Sequence, residues 1–210
     1  MKLYDAIYGR RDVRKFKGDA LPEDALARIL DAAHHAGSVG FMQPWNFILI
    51  RSRETRLKVK ALFDAQNLLA SQNYEGPRRE LYDSLKLEGI LESPLNICVT
   101  CDRSRGGRVL GRNSVFDTDL FSTCCAVQNL WLAARAEGIG VGWVSIVENQ
   151  ELSEILGIPE GIVPLAYLCV GYPVEFTPKP MLESAGWRER LPLQELVFQE
   201  RYGSPAKPAP

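Results

Sequence analysis

The sequence contains little of several residue types that mark particular classes of protein. Only two of its 210 residues are histidine, His34 and His35, which leaves few ligands for a histidine-based metal site. Its 25 Lys and Arg residues are balanced by 26 Asp and Glu residues, which argues against a general nucleic-acid-binding protein. No apolar run reaches the roughly 18 residues of a membrane-spanning helix. We therefore expect a globular chain that binds neither nucleic acid nor membrane.

The cysteines are few and odd in number, which bears on the compartment. The five are Cys98, Cys101, Cys124, Cys125 and Cys169. An odd count, and an N-terminus without a long apolar stretch, are typical of a protein of the reducing cytoplasm. Cys98 and Cys101 form a Cys-x-x-Cys pair, but residues three apart on a strand face opposite sides. Zinc binding or thioredoxin-like chemistry is therefore not favoured, and the Cys124-Cys125 pair is expected to pack within a helix.

Apolar periodicity predicts alternating helices and buried strands. Helical spacing runs over residues 21–37, 52–70, 117–137 and 149–157, and apolar runs predict strands over residues 46–51, 95–100, 141–146 and 163–172. We expect Gly138 to end the third helix in the left-handed conformation and Asn149 to cap the fourth. This alternation is typical of a layered α/β or α+β domain. We expect one domain over residues 1–203 and a disordered tail over residues 204–210.

Three arginines within five residues form a positive cluster near the N-terminus. They are Arg10, Arg11 and Arg14, and they surround Asp12. The planar guanidinium group donates paired, charge-assisted hydrogen bonds to phosphate. A solvated run of charge at a helix end is the alternative interpretation. Because a carboxylate would repel a phosphate, Asp12 is expected to neutralise an arginine or to face another part of a ligand.

Two further segments could contact the same ligand. Residues 38–45 lie between a predicted helix and a predicted strand, where Ser38 and the versatile amide of Gln43 could contact a ligand. Core packing of this segment is the alternative. Near the C-terminus, Arg188 and Arg190 alternate, and beside the first cluster they suggest a phosphate held from both ends of the chain.

A glycine-rich segment, residues 138–145, precedes and enters the third predicted strand. Glycines at alternate positions can suggest dinucleotide binding, but that motif follows a strand and opens a helix, the reverse of the order here. We expect these glycines to allow a tight turn and a close approach of the backbone to something flat. Ser145 is the hydroxyl-bearing residue of that predicted strand.

Taken together, these segments resemble the FMN-dependent nitroreductase superfamily from Arg10 to about Phe198. Within it, four segments resemble the BluB family, whose members are 5,6-dimethylbenzimidazole synthases. They read RRDVRKF, AAHHAGSVGFMQPWNF, YDSLKLEGILESP and GVGWVSI in this chain. The combination in this order is specific, although each segment alone is not.

The resemblance implies an α+β nitroreductase-like fold, with a central, mainly antiparallel or mixed sheet flanked by helices. It implies a two-fold homodimer in which both subunits build each flavin site. The implied reaction is the O2-dependent fragmentation of reduced FMN to 5,6-dimethylbenzimidazole and erythrose 4-phosphate, for the lower ligand of cobalamin. FMN would be a substrate, no metal would be needed, and a separate flavin reductase would supply reduced FMN.

The resemblance also implies roles for particular residues. Those implied to bind FMN are Arg10, Arg11, Asp12, Val13, Arg14, Ser38, Gln43, Trp143, Val144, Ser145, Arg188 and Arg190. Asp12 and Ser145 are implied to be catalytic. Ordinary nitroreductases commonly have serine at the position of Asp12, whereas in BluB-like chains this aspartate is associated with flavin destruction, a role that the resemblance implies for Asp12. A carboxyl group against an apolar ring in a closed site should have a raised pKa, which suits general acid–base work.

Two other functions stay open at this point. One is an NAD(P)H-dependent FMN nitroreductase, or a flavin or corrinoid reductase. The other is a flavin-binding carrier or sensor without turnover.

For the synthase, the polar excursion over residues 71–89, with the KLEGI stretch of residues 86–90, is the natural candidate for a lid that excludes water.

Overall fold

The computed structural model describes residues 1–204. The chain divides into two compact units, one over Met1–Pro178 and a second that begins at Lys179. The expected single domain over residues 1–203 stays a prediction. Of the expected tail, residues 205–210 lie outside the described residues. Within residues 1–204, no helix is both long enough and apolar enough to cross a membrane.

The first unit contains most of the regular structure. Its helices are α1 (Leu3–Gly9), α2 (Glu23–His34), α3 (Arg53–Ser71), α4 (Gly76–Ser84), α5 (Thr118–Ala136) and α6 (Asn149–Leu156). Its strands are β1 (Trp45–Ile50), β2 (Leu95–Asp102), β3 (Gly140–Val144) and β4 (Ile162–Gly171). The second unit contains the short helix α7 (Met181–Ser184) and a single 3-10 turn over Leu193–Glu195.

The strands form one antiparallel sheet in the order β1-β2-β4-β3. Trp45 of β1 pairs with Cys101, Leu95 of β2 pairs with Val170, and Val141 of β3 also pairs with Val170. With helices on the flanks, this sheet confirms the expected α+β architecture.

Each face of the sheet packs into its own apolar core. On one face, Ile97 and Val99 of β2 pack with Leu130 of α5 and its neighbours. On the other face, Cys98 packs with Val59 of α3 and the surrounding apolar residues. Since successive side chains of a strand face opposite sides, a strand covered on both faces has a mostly apolar sequence rather than an alternating one. This explains why β2 was predictable as a buried strand.

Three details of the helices differ from the sequence expectations. Helix α1 was not predicted; it is only seven residues long and contains one buried residue, Ala6. Helix α6 is capped by Glu148, whose carboxylate accepts from the amides of Gln150 and Glu151, rather than by Asn149. Cys124 and Cys125 do not pack in the core, because the face of α5 that bears them is exposed. Gly138, in contrast, has the expected left-handed φ of 76°.

The third strand is shorter than its apolar sequence predicted. It ends at Val144, so Ser145 and Ile146 belong to the loop that leads to α6. Ser145 is exposed in this loop. An apolar run predicts burial but does not fix the residue at which sheet pairing stops, and here the β4 register ends with Val144 opposite Tyr167.

Candidate functional site

The arginine segment, residues 10–14, lies beside β3 and pairs with it through one isolated β-bridge. Asp12 forms a parallel bridge with Val141, and the amide of Val13 donates to the Val141 carbonyl oxygen at 3.0 Å. The Trp143 amide donates to Oδ1 of Asp12 at 2.8 Å. The structure therefore brings together the two sequence segments that were expected to meet at a ligand, although they are more than 100 residues apart.

Glycine is required on β3 because this approach is so close. A Cβ atom added at Gly142 would lie 2.0 Å from the carbonyl oxygen of Val13, and one added at Gly140 would lie 2.8 Å from a Val13 methyl group. The expectation of a close approach was right, and within the chain the partner of Gly140 and Gly142 is Val13 of the arginine segment. An approach of this strand to something flat stays a prediction.

Asp12 is held at both carboxylate oxygens. Oδ1 accepts from the Trp143 amide, and Oδ2 forms an ion pair and hydrogen bond with Nη2 of Arg14. Burial raises the pKa of Asp12 above its ordinary value of 3.8, against the opposing influence of Arg14, the Trp143 amide and Arg10. The direction agrees with the sequence expectation, and Asp12 does neutralise an arginine.

The three clustered arginines have different surroundings. Arg11 is held by carbonyl groups: Nε donates to Thr177 at 2.8 Å, Nη1 donates to Tyr8 at 2.8 Å, and Nη2 donates to Pro178. Arg14 donates from Nη1 to the Lys86 carbonyl oxygen at 3.3 Å, besides its pairing with Asp12. Since its guanidinium group is already held on three sides, Arg11 is the least available of the cluster for a phosphate.

Arg10 lies against an aromatic cluster. Its guanidinium carbon is 4.5 Å from the centroid of the Trp131 ring, within the range of a cation–π contact. The Trp131 ring is 6.3 Å from that of Trp143. The indole Nε1 of Trp131 donates to the Arg11 carbonyl oxygen at 3.2 Å. Trp131 therefore anchors the arginine segment to helix α5. The apolar spacing of α5 in the sequence did not indicate this role.

The segment with Ser38 and Gln43 forms a tight, irregular loop between α2 and β1. Residues Val39–Phe41 make one 3-10 turn, and the Ser38 hydroxyl accepts from the Gln43 amide at 3.2 Å. Phe41 and Gln43 have positive φ values of 54° and 46°. Non-glycine residues rarely adopt this conformation, and such strain concentrates at functional sites. The backbone thus supports a binding role for this loop.

Ser145 and Val144 contribute to different surroundings. Ser145 lines an open pocket of about 790 Å³ whose other polar side chains include Gln66, Asn73 and Asn149. The side chain of Val144 is buried in the core on the α3 side of the sheet, so its contribution to a ligand would come from the main chain. Val13 is likewise buried.

The KLEGI stretch packs tightly against the arginine segment. A Cβ atom at Gly89 would lie 2.6 Å from the Phe16 ring and 3.1 Å from the Arg14 carbonyl oxygen, and Ile90 is fully buried. Residues 86–90 therefore pack against the arginine segment in this structure, and their expected role as part of a lid stays a prediction. The exposed part of the excursion, which includes α4, stays the candidate for a lid.

Arg188 and Arg190 belong to the second unit. Both are exposed, and together with Leu182 and Leu193 they line a pocket of about 600 Å³ within that unit. Their expected role in binding the FMN phosphate stays a prediction.

Comparison with known proteins identifies the family. The sequence profile of the nitroreductase family matches residues 7–172. The chain belongs to the nitroreductase family. Within the family, it is 40% identical to a 5,6-dimethylbenzimidazole synthase of Rhodospirillum rubrum over 90% of each chain. It is 39% identical to a 5,6-dimethylbenzimidazole synthase of Rhodobacter capsulatus, over 91% of this chain and 93% of that protein. These likenesses confirm the resemblance read from the sequence.

The family fold is also seen in a solved structure of low sequence identity. A crystal structure of oxidised iodotyrosine deiodinase bound to FMN and 3-iodo-L-tyrosine is 22% identical, with a TM-score of 0.75 over 95% of this chain and 99% of that chain. At this identity the likeness establishes the fold alone. The α+β nitroreductase fold predicted from the sequence is therefore confirmed.

Proposed function

We propose that this member of the nitroreductase family is a 5,6-dimethylbenzimidazole synthase, which fragments reduced FMN with O2 to 5,6-dimethylbenzimidazole and erythrose 4-phosphate. The observation that supports this most directly is the placement of Asp12. Its carboxylate is fixed on the edge of β3 by the Trp143 amide and by Arg14. The relatives at about 40% identity over most of the chain, which are named for this activity, point the same way.

The residues around Asp12 fit FMN. The flavin phosphate and ring oxygens need cationic and polar donors, and Arg10 and Arg14 supply guanidinium groups that are held in place by Trp131 and Asp12. The strained loop over residues 38–43 adds Ser38 and Gln43 as polar contacts. Arg11 contributes by anchoring the arginine cluster, since its Nε donates a hydrogen bond to the Thr177 carbonyl oxygen. When bound, FMN would supply a redox-active ring, and FMN itself would be the substrate of the reaction.

Asp12 is proposed to hold and move a proton. Because burial raises the pKa of its carboxyl group, Asp12 can keep a proton at a higher pH than an exposed aspartate. Arg14 and the Trp143 amide fix the direction of the two oxygens, so the proton is exchanged at a defined place. The serine found at this position in ordinary nitroreductases has no comparable acid–base capacity near neutral pH.

Ser145 is proposed as the second catalytic residue. It follows β3 directly, two residues beyond the Trp143 amide that binds Asp12. Its exposed hydroxyl lines the open pocket between the end of α3 and the start of α6. From this place it can orient a bound flavin by donating or accepting a hydrogen bond.

The protein is proposed to act as a homodimer without a metal ion, and to receive reduced FMN from a separate flavin reductase. Several large apolar side chains of the first unit are exposed in the single chain, and burying them against a second copy would remove this apolar surface from water. They include Leu3, Tyr4, Tyr8, Phe41, Leu110, Phe116 and Phe121. A sedimentation measurement that finds a monomer at micromolar concentration would contradict this assignment.

One incubation tests the proposed activity. The purified protein is mixed with chemically reduced FMN under anaerobic conditions and then opened to air, and the products are separated by HPLC with mass detection. We expect 5,6-dimethylbenzimidazole in proportion to the FMN lost from wild type, none from Asp12→Asn, and normal product from the exposed control Asp19→Asn. Intact FMN and peroxide alone would refute the proposal, and rapid bleaching of bound FMN by NADH or NADPH would then identify an ordinary nitroreductase.

A further inference from the structure

The loop over residues 38–43 adopts a conformation that its own residues do not favour. Phe41 and Gln43 both have positive φ, and neither is glycine. Such a backbone persists only where the surrounding structure holds it. Within the loop itself, the Ser38 hydroxyl accepts one hydrogen bond from the Gln43 amide. Contacts from other parts of the chain must therefore hold the loop in this shape.

Arg105 forms hydrogen bonds with the chain where this loop ends and β1 begins. Its Nη1 donates to the carbonyl oxygens of Gln43 and Trp45, each at 2.9 Å, and its Nη2 donates to Oδ1 of Asn46 at 2.5 Å. The Arg105 amide in turn donates to Oδ1 of Asp102, the last residue of β2, at 3.1 Å. Arg105 therefore ties the strained loop and the start of β1, through its guanidinium group, to the end of the adjacent strand, through its main-chain amide.

The loop that bears Arg105, residues 103–112, also packs directly on the strained loop. A Cβ atom at Gly40 would lie 1.9 Å from a Val109 methyl group, and one at Gly111 would lie 3.2 Å from a Val39 methyl group. A Cβ atom at Gly106 would be 3.3 Å from the Cβ atom of Met42. The two loops therefore fit together along their length, and a shift in one must move the other.

The 103–112 loop has a rigid base. Asp119, at the start of α5, is fully buried, and its Oδ2 forms ion pairs with Arg103 Nε at 3.0 Å and with Nη2 of Arg112. The Arg112 guanidinium also donates to the Arg103 carbonyl oxygen. Both ends of the loop are thus fastened to one buried carboxylate, so Arg105 is presented from a fixed frame.

We propose that Arg105 is a positioning residue, which holds the 38–43 loop in the geometry that places Ser38 and Gln43 against FMN. The inference rests on the proposed function, because it requires that the 38–43 loop contacts bound FMN. Arg105 acts through the carbonyl oxygens it binds and not by contact with the flavin. An arginine is suited to this task because its planar fork can bind several acceptors at once.

The test compares three variants of the full-length protein. Arg105→Met removes the hydrogen bonds, Arg105→Lys keeps the charge with fewer donors, and Arg108→Met removes an exposed charge from the same loop as a matched control. FMN affinity is measured by fluorescence quenching, and the visible circular dichroism of bound FMN reports the contacts around its ring. Far-UV circular dichroism and sedimentation establish that each variant is folded and assembled.

We expect Arg105→Met to bind FMN at least tenfold more weakly and to alter the visible dichroism of the bound flavin. We expect Arg105→Lys to be intermediate and Arg108→Met to match wild type. A folded Arg105→Met protein with wild-type affinity and dichroism would overturn the inference. These readouts do not depend on turnover, so a wild type that binds FMN but forms no 5,6-dimethylbenzimidazole would refute only the proposed function.

A measurement on the wild-type protein covers the case in which the variants do not fold. Amide hydrogen exchange is followed by mass spectrometry with and without FMN. We expect FMN to slow exchange in residues 38–43 and 103–112 together, because the two loops are coupled. Slower exchange in residues 38–43 with no change in residues 103–112 would contradict a positioning role for Arg105.

Discussion

The substitution Gly142→Ala tests the close contact on which the whole candidate site depends. The added methyl group would lie 2.0 Å from the carbonyl oxygen of Val13 and 3.6 Å from Oδ1 of Asp12. The obstacle is backbone, which cannot rotate out of the way as a flexible side chain could. The arginine segment must therefore move off β3, and Asp12 must move with it.

The magnitude follows from the contacts that would be lost. The hydrogen bond from the Val13 amide to the Val141 carbonyl oxygen contributes about 1 kcal/mol, and the one from the Trp143 amide to the Asp12 carboxylate about 2 kcal/mol. Replacing glycine by alanine also restricts the unfolded chain, which stabilises the protein by up to about 1 kcal/mol. We therefore expect a net loss of about 2 kcal/mol.

Urea denaturation at fixed protein concentration, followed by far-UV circular dichroism, measures the change in unfolding free energy. Gly37→Ala is the matched control, because among the described residues no heavy atom beyond Gly37 and its two chain neighbours lies within 4 Å of the added Cβ. It reports the effect of alanine on the unfolded chain by itself. FMN titration of the folded Gly142→Ala protein should show at least a tenfold loss of affinity. Stability within about 0.5 kcal/mol of wild type, together with normal FMN binding, would refute the argument.

Three further predictions concern charged side chains. Asp119→Asn should lower the unfolding free energy measured in urea by about 3 kcal/mol, because it removes the buried carboxylate that pairs with Arg103 and Arg112. The control Asp117→Asn, at an exposed carboxylate, should change it far less. Because burial raises the pKa of Asp12, the folded protein holds that proton to a higher pH than the unfolded chain does, so the contribution of Asp12 to wild-type stability should fall as pH rises from 3.8 through the raised pKa. Asp12→Asn should lack this fall, and an unchanged pH profile would count against the assignment. Arg11→Met should lower the urea midpoint more than Arg10→Met does, because Arg11 donates to carbonyl groups around Thr177 and Pro178; equal midpoints would contradict that difference.

The sequence predicted the sheet, the main helices and the fold because each depends on local patterns. Strand β2 is buried on both faces and is mostly apolar, and α5 has a long apolar stripe that ends at a left-handed glycine. The resemblance of four ordered segments then identified the family. Helix α1 was missed because it is short and contributes only Ala6 to the buried surface.

The roles of individual side chains were less predictable, since they depend on partners that are distant in the chain. The arginine cluster predicts a phosphate site, but Arg11 proves to be held by Tyr8, Thr177 and Pro178. The 103–112 loop was recognisable as rich in glycine and arginine, yet nothing in that composition indicated that Arg105 binds the carbonyl oxygens of Gln43 and Trp45.

The α+β class, the family and the residue types at the candidate site follow from the sequence alone, because periodicity and motif order are properties of the chain. Three contacts are visible only in the folded chain: Asp12 accepts from the Trp143 amide, Gly142 makes room for Val13, and Arg105 reaches the 38–43 loop. These contacts join residues that are tens to more than a hundred positions apart. Their geometry is set by sheet pairing and core packing, which no local pattern records.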